Sequence, residues 1–211
     1  MPPTGNLIIV SGPSGAGKSA IATLVLQRVA GVCFSVSYTT RPPRDNERDG
    51  VHYHFVGKAE FEALVRDHHL LEWAEVYGNF YGTAGKFIDD RLGGGEDVLL
   101  DVDVQGARSI RALRPEAISV FILPPSYQVL KSRLENRKLD KDYVIEQRLR
   151  IARSEMSHYR EYDYLIINED LESSVADLQA IILGSRCRRA NRVGAVESIV
   201  ATFGGLNAQN S

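Results

Sequence analysis

Short apolar runs punctuate the chain, most of them ending on a polar residue. Leu7-Ile8-Ile9-Val10, Cys33-Phe34-Ser35-Val36-Ser37, Val98-Leu99-Leu100, Ile118 to Leu123 and Tyr164-Leu165-Ile166-Ile167 have the length and continuity of strands buried in a sheet. Between and after them, helical patterns run over Ala20 to Ala30 (Ile21, Leu24, Val25, Val29), Gly106 to Leu113, Tyr127 to Arg137, Tyr143 to Tyr159 and Glu172 to Arg188. Apolar strands alternating with helices predict an α/β fold, a mostly parallel five-stranded sheet between two helical layers. The segment from Ser37 to Gly95 breaks this rhythm. Pro42, Pro43 and the charged run Asp45 to Asp49 forbid a regular element. Val51 to Val56 alternates like a half-exposed strand, a short helix starts near Ala59, and Leu70 to Val76 reads as a strand. Tyr77-Gly78-Asn79 turns the chain, and Phe80-Tyr81 begins the returning strand. The expected division is a core over 5–36 and 96–190 with a helical lid at about 126–150, an inserted small mixed α/β unit over 37–95, and a tail over 191–211. The tail turns small and polar, with a short helix expected near Val196 to Val200 and a frayed end.

The sharpest local signal lies between the first strand and the first helix. Gly12-Pro13-Ser14-Gly15-Ala16-Gly17-Lys18-Ser19 is G-x-x-x-x-G-K-S, the P-loop pattern in its strand–loop–helix context. Glycines let successive N–H groups line one concavity, and the helix N-terminus adds partial positive charge. Lys18 supplies a full charge for the β- and γ-phosphates, and the Ser19 hydroxyl is the expected magnesium ligand. Ligands of parallel sheets bind beyond the carboxyl ends of the strands. Ser37, Asp101, Asp103 and Asn168 sit at such ends, which supports the motif independently.

Composition narrows the classes. The chain has 211 residues and a formal net charge of -2, so bulk charge draws it to neither nucleic acid nor an anionic membrane. No stretch has the length and apolarity of a membrane span, and the N-terminus lacks a signal pattern. Cys33 and Cys187 are the only cysteines and fit a reducing, cytoplasmic setting. The five histidines show no metal spacing.

A P-loop points to a nucleoside triphosphate but leaves the acceptor open. Arg41 and Arg44, three apart on a proline-stiffened loop, suit a phosphate dianion, and Tyr53 and Tyr81 can add hydroxyl donors; a solvated basic loop is the alternative. Glu72 sits beside Trp73 in an otherwise apolar strand. Asp101 and Asp103, two apart, share a face if the strand continues; one suits the magnesium ion, and the alternative is a pair capping the following helix. An ionised carboxylate only accepts hydrogen bonds, whereas guanine presents two donors and adenine an acceptor at the corresponding edge. Glu72 with the spare Asp103 would favour guanine, provided that the two meet. Arg133 and Arg137 share a helix face, with Arg148 on the next helix: a mobile lid for the transferred phosphoryl group, or a solvated face.

Longer stretches carry a family likeness. Ser35-Val36-Ser37-Tyr38-Thr39-Thr40-Arg41-Pro42-Pro43-Arg44, Leu71 to Thr83, Leu100-Asp101-Val102-Asp103-Val104-Gln105-Gly106 and Met156 to Tyr164 resemble guanylate kinases, in order and over roughly Leu7 to Arg188. The resemblance implies a P-loop three-layer α/β/α core, a GMP-binding insertion and a lid, and transfer of the γ-phosphoryl group of ATP to GMP. It assigns guanine to Ser37, Glu72, Thr83 and Asp103, the GMP phosphate to Arg41, Arg44, Tyr53 and Tyr81, and magnesium to the neighbourhood of Ser19 and Asp101. It places Arg133, Arg137 and Arg148 on the triphosphate and Asn168 near the adenine. Partners beyond ATP and GMP are not implied, and self-association is left open. Ala20 stands where the family usually has threonine or serine, and Asn46 and Lys138 replace common glycines. Related domains of membrane scaffold proteins act as binding modules after losing P-loop residues, but here Lys18 and Ser19 are intact.

Overall fold

A computed structural model describes residues 4–44, 47–76, 78–135 and 142–203. The expected turn residue Tyr77, the loop residues Asp45 and Asn46, the lid residues Arg137 and Lys138, and the tail after Phe203 lie outside the described residues. Strands β1 (Leu7–Ser11), β2 (Val32–Phe34), β7 (Asp97–Asp101), β8 (Ile118–Leu123) and β9 (Tyr164–Ile167) form the core sheet in the order β2-β7-β1-β8-β9. Every pairing in it is parallel. Ile8, Val10, Leu99, Val120 and Ile122 pack on one face against α1 (Lys18–Arg28) and α7 (Leu171–Ser185). Leu7, Ile9, Val98 and Leu100 pack on the other against Ile88 of α3 (Gly85–Gly93) and Ile110 of α4 (Val104–Leu113). Two buried faces explain the unbroken apolar runs.

A second sheet has the order β4-β3-β6-β5, built from β3 (Tyr38–Thr39), β4 (His54–Phe55), β5 (Leu70–Val76) and β6 (Asn79–Ala84). β3 pairs parallel with β4 and antiparallel with β6, and β5 pairs antiparallel with β6. Helix α2 (Lys58–Arg66) buries Phe61, which stacks on Phe80 with ring centroids 5.6 Å apart. The strand expected over Cys33 to Ser37 ends at Phe34, where the chain leaves the core sheet for the second one. Of Val51 to Val56, only His54 and Phe55 form a strand.

The lid consists of α5 (Tyr127–Glu135) and α6 (Asp142–Met156), which close on a small core of Leu130, Leu134, Ile145, Leu149 and Ala152. The helix expected to run on to Tyr159 becomes a 3-10 turn over Ser157–Glu161. The C-terminal prediction needs the largest correction: α8 spans Arg189–Thr202, in place of a short helix near Val196. Alanine and arginine favour helix there, and the small, polar look of the segment hid that propensity. None of its residues is buried.

Candidate active site

The P-loop lies where β1 hands over to α1. Gly12, Gly15 and Gly17 all have positive φ, at 137°, 91° and 98°. At Gly12 a side chain is also excluded by space, because a Cβ would overlap the Ile122 carbonyl. Lys18 Nζ donates to the Gly12 carbonyl at 2.6 Å and stands 3.9 Å from Asp101 Oδ1. Ser19 Oγ donates to Asp101 Oδ2 at 3.1 Å. Gly12, Ser14, Gly15, Gly17, Lys18 and Ser19 line the cleft, whereas Ala16 is fully buried beneath it.

Asn168 lies beneath the P-loop. It is 5% exposed, its Nδ2 donates to the Ala16 carbonyl at 2.7 Å, and its Oδ1 accepts from Ser174 Oγ at 3.3 Å. It therefore braces the loop from beneath, with its amide already committed. Arg133 donates Nη2 to the Asn168 carbonyl at 2.8 Å and Nη1 to the Ala16 carbonyl at 3.5 Å, so it joins the lid to the same brace. Arg148 lines the cleft directly. Arg137 is outside the described residues.

Opposite the loop, the second sheet forms the far wall of a cleft of about 1020 Å³. Ser37, Arg41, Arg44, Tyr53, Tyr81 and Thr83 all line it. Arg41 is gripped by Glu47, Nη2 to Oε1 at 2.9 Å, while Glu47 Oε2 accepts the Arg44 backbone N–H at 2.8 Å. Burial opposes that pair, yet the two arginines still hold the Glu47 carboxyl below the usual range. The Arg41 guanidinium also lies over the Tyr53 ring, 5.5 Å from its centroid, and Tyr53 meets Tyr81 edge-on at 5.9 Å. Burial pushes the Tyr53 hydroxyl up to about 12, so it stays a donor at any working pH.

Glu72 and Asp103 line one corner of the cleft. Glu72 Oε1 accepts the Thr83 hydroxyl at 2.6 Å. Asp103 caps α4, its Oδ1 accepting the Gly106 N–H at 2.8 Å, whereas Asp101 faces Ser19 and Lys18, so of the expected capping pair only Asp103 caps the helix. A Cβ on Gly106 would lie 3.2 Å from both Asp103 Oδ1 and Glu72 Oε2; glycine leaves that corner open for the two carboxylates. Burial, with Asp103 adding to it, pushes the Glu72 carboxyl up to about 7 against the Thr83 hydrogen bond.

Glu47 and Glu155, which also line the cleft, were not singled out from the sequence. Glu47 was hidden in the charged run Asp45 to Asp49, which read only as forbidding a regular element. For Glu155 the available signal was its spacing: it stands seven residues, two helical turns, beyond Arg148 on the lid helix. Among the described residues, no group of three or more His, Cys, Asp or Glu could hold a metal, and no helix is long and apolar enough to cross a membrane.

A parallel sheet with a glycine-rich cradle and lysine at its carboxyl edge, and a polar cleft facing them under a helical lid, defines a P-loop nucleotide-binding protein of the phosphotransferase kind. Comparison with known proteins narrows the class. The guanylate kinase family model matches residues 4–184. A guanylate kinase of Shewanella sp. (strain MR-7) is 51% identical over 192 residues, covering 90% of this chain and 93% of that protein. One of Dechloromonas aromatica (strain RCB) is 50% identical over 181 residues, 86% of this chain and 90% of that one. The crystal structure of guanylate kinase from Anaplasma phagocytophilum superposes with a TM-score of 0.82 at 32% identity, covering 96% of this chain and 97% of that one. The chain belongs to the guanylate kinase family.

Proposed function

We propose that the protein transfers the γ-phosphoryl group of ATP to GMP, and also to dGMP, giving ADP and the guanine nucleoside diphosphate. The observation that carries the acceptor is the convergence of Glu72 and Asp103 on the corner that Gly106 leaves open. Carboxylate oxygens there accept from guanine N1–H and N2–H, whereas adenine N1 is itself an acceptor and gives them no hydrogen. Ser37 and Thr83 complete the base pocket. Arg41, Arg44, Tyr53 and Tyr81 hold the GMP phosphate, and Glu47 keeps Arg41 aimed at it.

The attacking oxygen belongs to the GMP phosphate, whose second pKa is about 6, so it is largely anionic at neutral pH and needs no general base. The obstacle is repulsion between two polyanions. Lys18 and the loop N–H groups draw charge off the donor phosphates, and Arg41 and Arg44 do so for the acceptor. Arg133, Arg137 and Arg148 bring lid charge to the transferred group, and closure keeps water from intercepting it. Asn168 serves ATP indirectly, by fixing the loop.

Magnesium fits the residues present. The Ser19 hydroxyl and the Asp101 carboxylate, 3.1 Å apart beside Lys18, are hard oxygen donors of the kind this ion takes together with substrate phosphates and water. Ser19 and Asp101 would hold it, in part through water, and bound there it would supply charge neutralisation at the β- and γ-phosphates. The test is ADP production from Mg-ATP with GMP, dGMP, AMP, CMP, UMP or no acceptor. Turnover confined to the guanine nucleotides is expected; turnover on AMP or UMP, or on none, contradicts the assignment.

A further inference from the structure

The acceptor wall of the cleft carries a histidine that the proposed function leaves unused. His52 lines the cleft along with Arg41, Arg44 and Tyr53. It stands in a tight loop over 47–53 that is closed on itself. The Val51 and His52 N–H groups both donate to the Arg48 carbonyl, at 3.3 and 3.1 Å, and the Gly50 N–H donates to the Tyr53 carbonyl at 2.8 Å. Gly50 takes the positive φ, 71°, that the turn requires. The Asp49 carboxylate accepts the Phe55 N–H at 2.8 Å, which ties the loop to β4. The His52 ring takes part in this closure: its Nδ1 accepts the Arg48 N–H at 3.1 Å. Arg48 and His52 thus hold each other twice, once through each backbone group of Arg48.

A backbone N–H can only donate, so Nδ1 is the bare nitrogen of the ring. The proton of the neutral ring therefore sits on Nε2. That nitrogen lies on the far side of the ring from the loop bond and has no hydrogen-bond partner among the described residues. An arginine or lysine here could donate into the cleft but could not accept the Arg48 N–H, and an aspartate could accept it but not donate. Imidazole does both, on opposite edges of one rigid ring. We propose that His52 is a further ligand of the acceptor nucleotide, its Nε2–H donating to the GMP phosphate from the wall that also presents Arg41, Arg44 and Tyr53. The inference rests on the GMP reading above and adds a residue to it. The loop bond prepares the donor in two ways. It holds the ring in one orientation, which lowers the entropy lost on binding, and it fixes the tautomer that carries the proton on the free edge.

Two substitutions separate the edges of the ring. In His52→Asn the Oδ1 takes the place of Nδ1, so the loop acceptor is kept and the cleft donor is lost. In His52→Gln the amide nitrogen takes the place of Nε2, so the donor is kept and the loop acceptor is lost. Expected is a rise of about tenfold in KM for GMP in His52→Asn, with KM for ATP unchanged, and recovery of most of that loss in His52→Gln. A loss confined to His52→Gln would mean that the ring only closes the loop, and an equal loss in both variants, or none in either, would also overturn the inference. Should a variant not fold, the nitrogen-15 resonances of the His52 ring in wild type decide, with GMP added in the absence of ATP so that nothing reacts. Nδ1 should resonate as a bare nitrogen, and GMP should shift the Nε2 proton and slow its exchange with water, whereas guanosine, which has no phosphate, should not. An Nε2 proton that GMP leaves unchanged, or that guanosine moves as far, refutes the inference while the acceptor site stands. A wild-type protein that does not bind GMP would overturn both.

Discussion

Each carboxylate in the cleft is held by its own device, and the devices can be tested one residue at a time. Glu72 leans on the Thr83 hydroxyl, Asp103 on the first turn of α4, and Glu47 on Arg41 and the Arg44 N–H. Glu47→Gln should leave Arg41 charged but loosely aimed. The expected result is a rise of about tenfold in KM for GMP with KM for ATP unchanged, the order expected when a charged hydrogen bond is lost. Lys18→Ala should cut kcat by about 100-fold or more while the fold survives, read by steady-state turnover and circular dichroism. Glu72 also makes a stability prediction. Its folded pKa of about 7 lies above the ordinary glutamate value of 4.5, so the folded protein holds this proton more tightly than the unfolded chain. The stability it contributes is present below the unfolded value and is lost as pH rises through about 7. Glu72→Gln should therefore gain in Tm relative to wild type between pH 5 and pH 8. A constant difference across that range would argue against a buried acid. Residue types and positions at this pocket were legible before the structure; the corner that Glu72 and Asp103 share was not, because it depends on how β5 lies against α4. Glu155 escaped notice for the same reason, since a charged residue on a helix gives no sign in sequence of which way it faces.

Among the elements, helix α4 does two jobs. Its cap supplies Asp103, the carboxylate proposed to read the base, and its third residue, Gly106, is small so that Glu72 can approach. Alanine is the better helix former by up to about 1 kcal/mol, so on propensity alone Gly106→Ala should not lower Tm. The added methyl would crowd both carboxylates at 3.2 Å, so KM for GMP should rise severalfold with KM for ATP unchanged. A drop in Tm with no change in KM would mean that Gly106 serves packing instead. The core strands were readable because burial on both faces left unbroken apolar runs. Helix α3 was not, because it is short, begins at Gly85, ends at Gly93 and carries few apolar positions. Helix α8 was underestimated for a related reason. It buries nothing, so no apolar face had to be written into its sequence as a core stripe. Among the described residues, removing residues 189–211 should cost the hydrogen bonds from Asn191 to Asn6 and to the Ser185 and Arg188 carbonyls and from Arg192 to the Arg186 carbonyl. Tm should fall by no more than a few degrees, with GMP turnover retained.

For the molecule as a whole, the division of labour follows the two sheets. On the proposed function, the parallel sheet carries the donor side at its carboxyl edge and the mixed sheet the acceptor side, while α5 joins the loop region through Arg133. Alternating strands and helices foretold the first sheet. The second has strands as short as two residues and a pairing of mixed sense, which local patterns encode weakly. The central claim is that guanine is selected by acceptor oxygens on Glu72 and Asp103. The measurement that tests it most directly is the ratio of kcat/KM for GMP to that for AMP, in wild type and in Glu72→Gln, at saturating Mg-ATP. A strong preference for GMP in wild type that falls by about tenfold or more in the variant, chiefly through lost activity on GMP, is the predicted result. A ratio that the substitution leaves unchanged in a folded protein would contradict it.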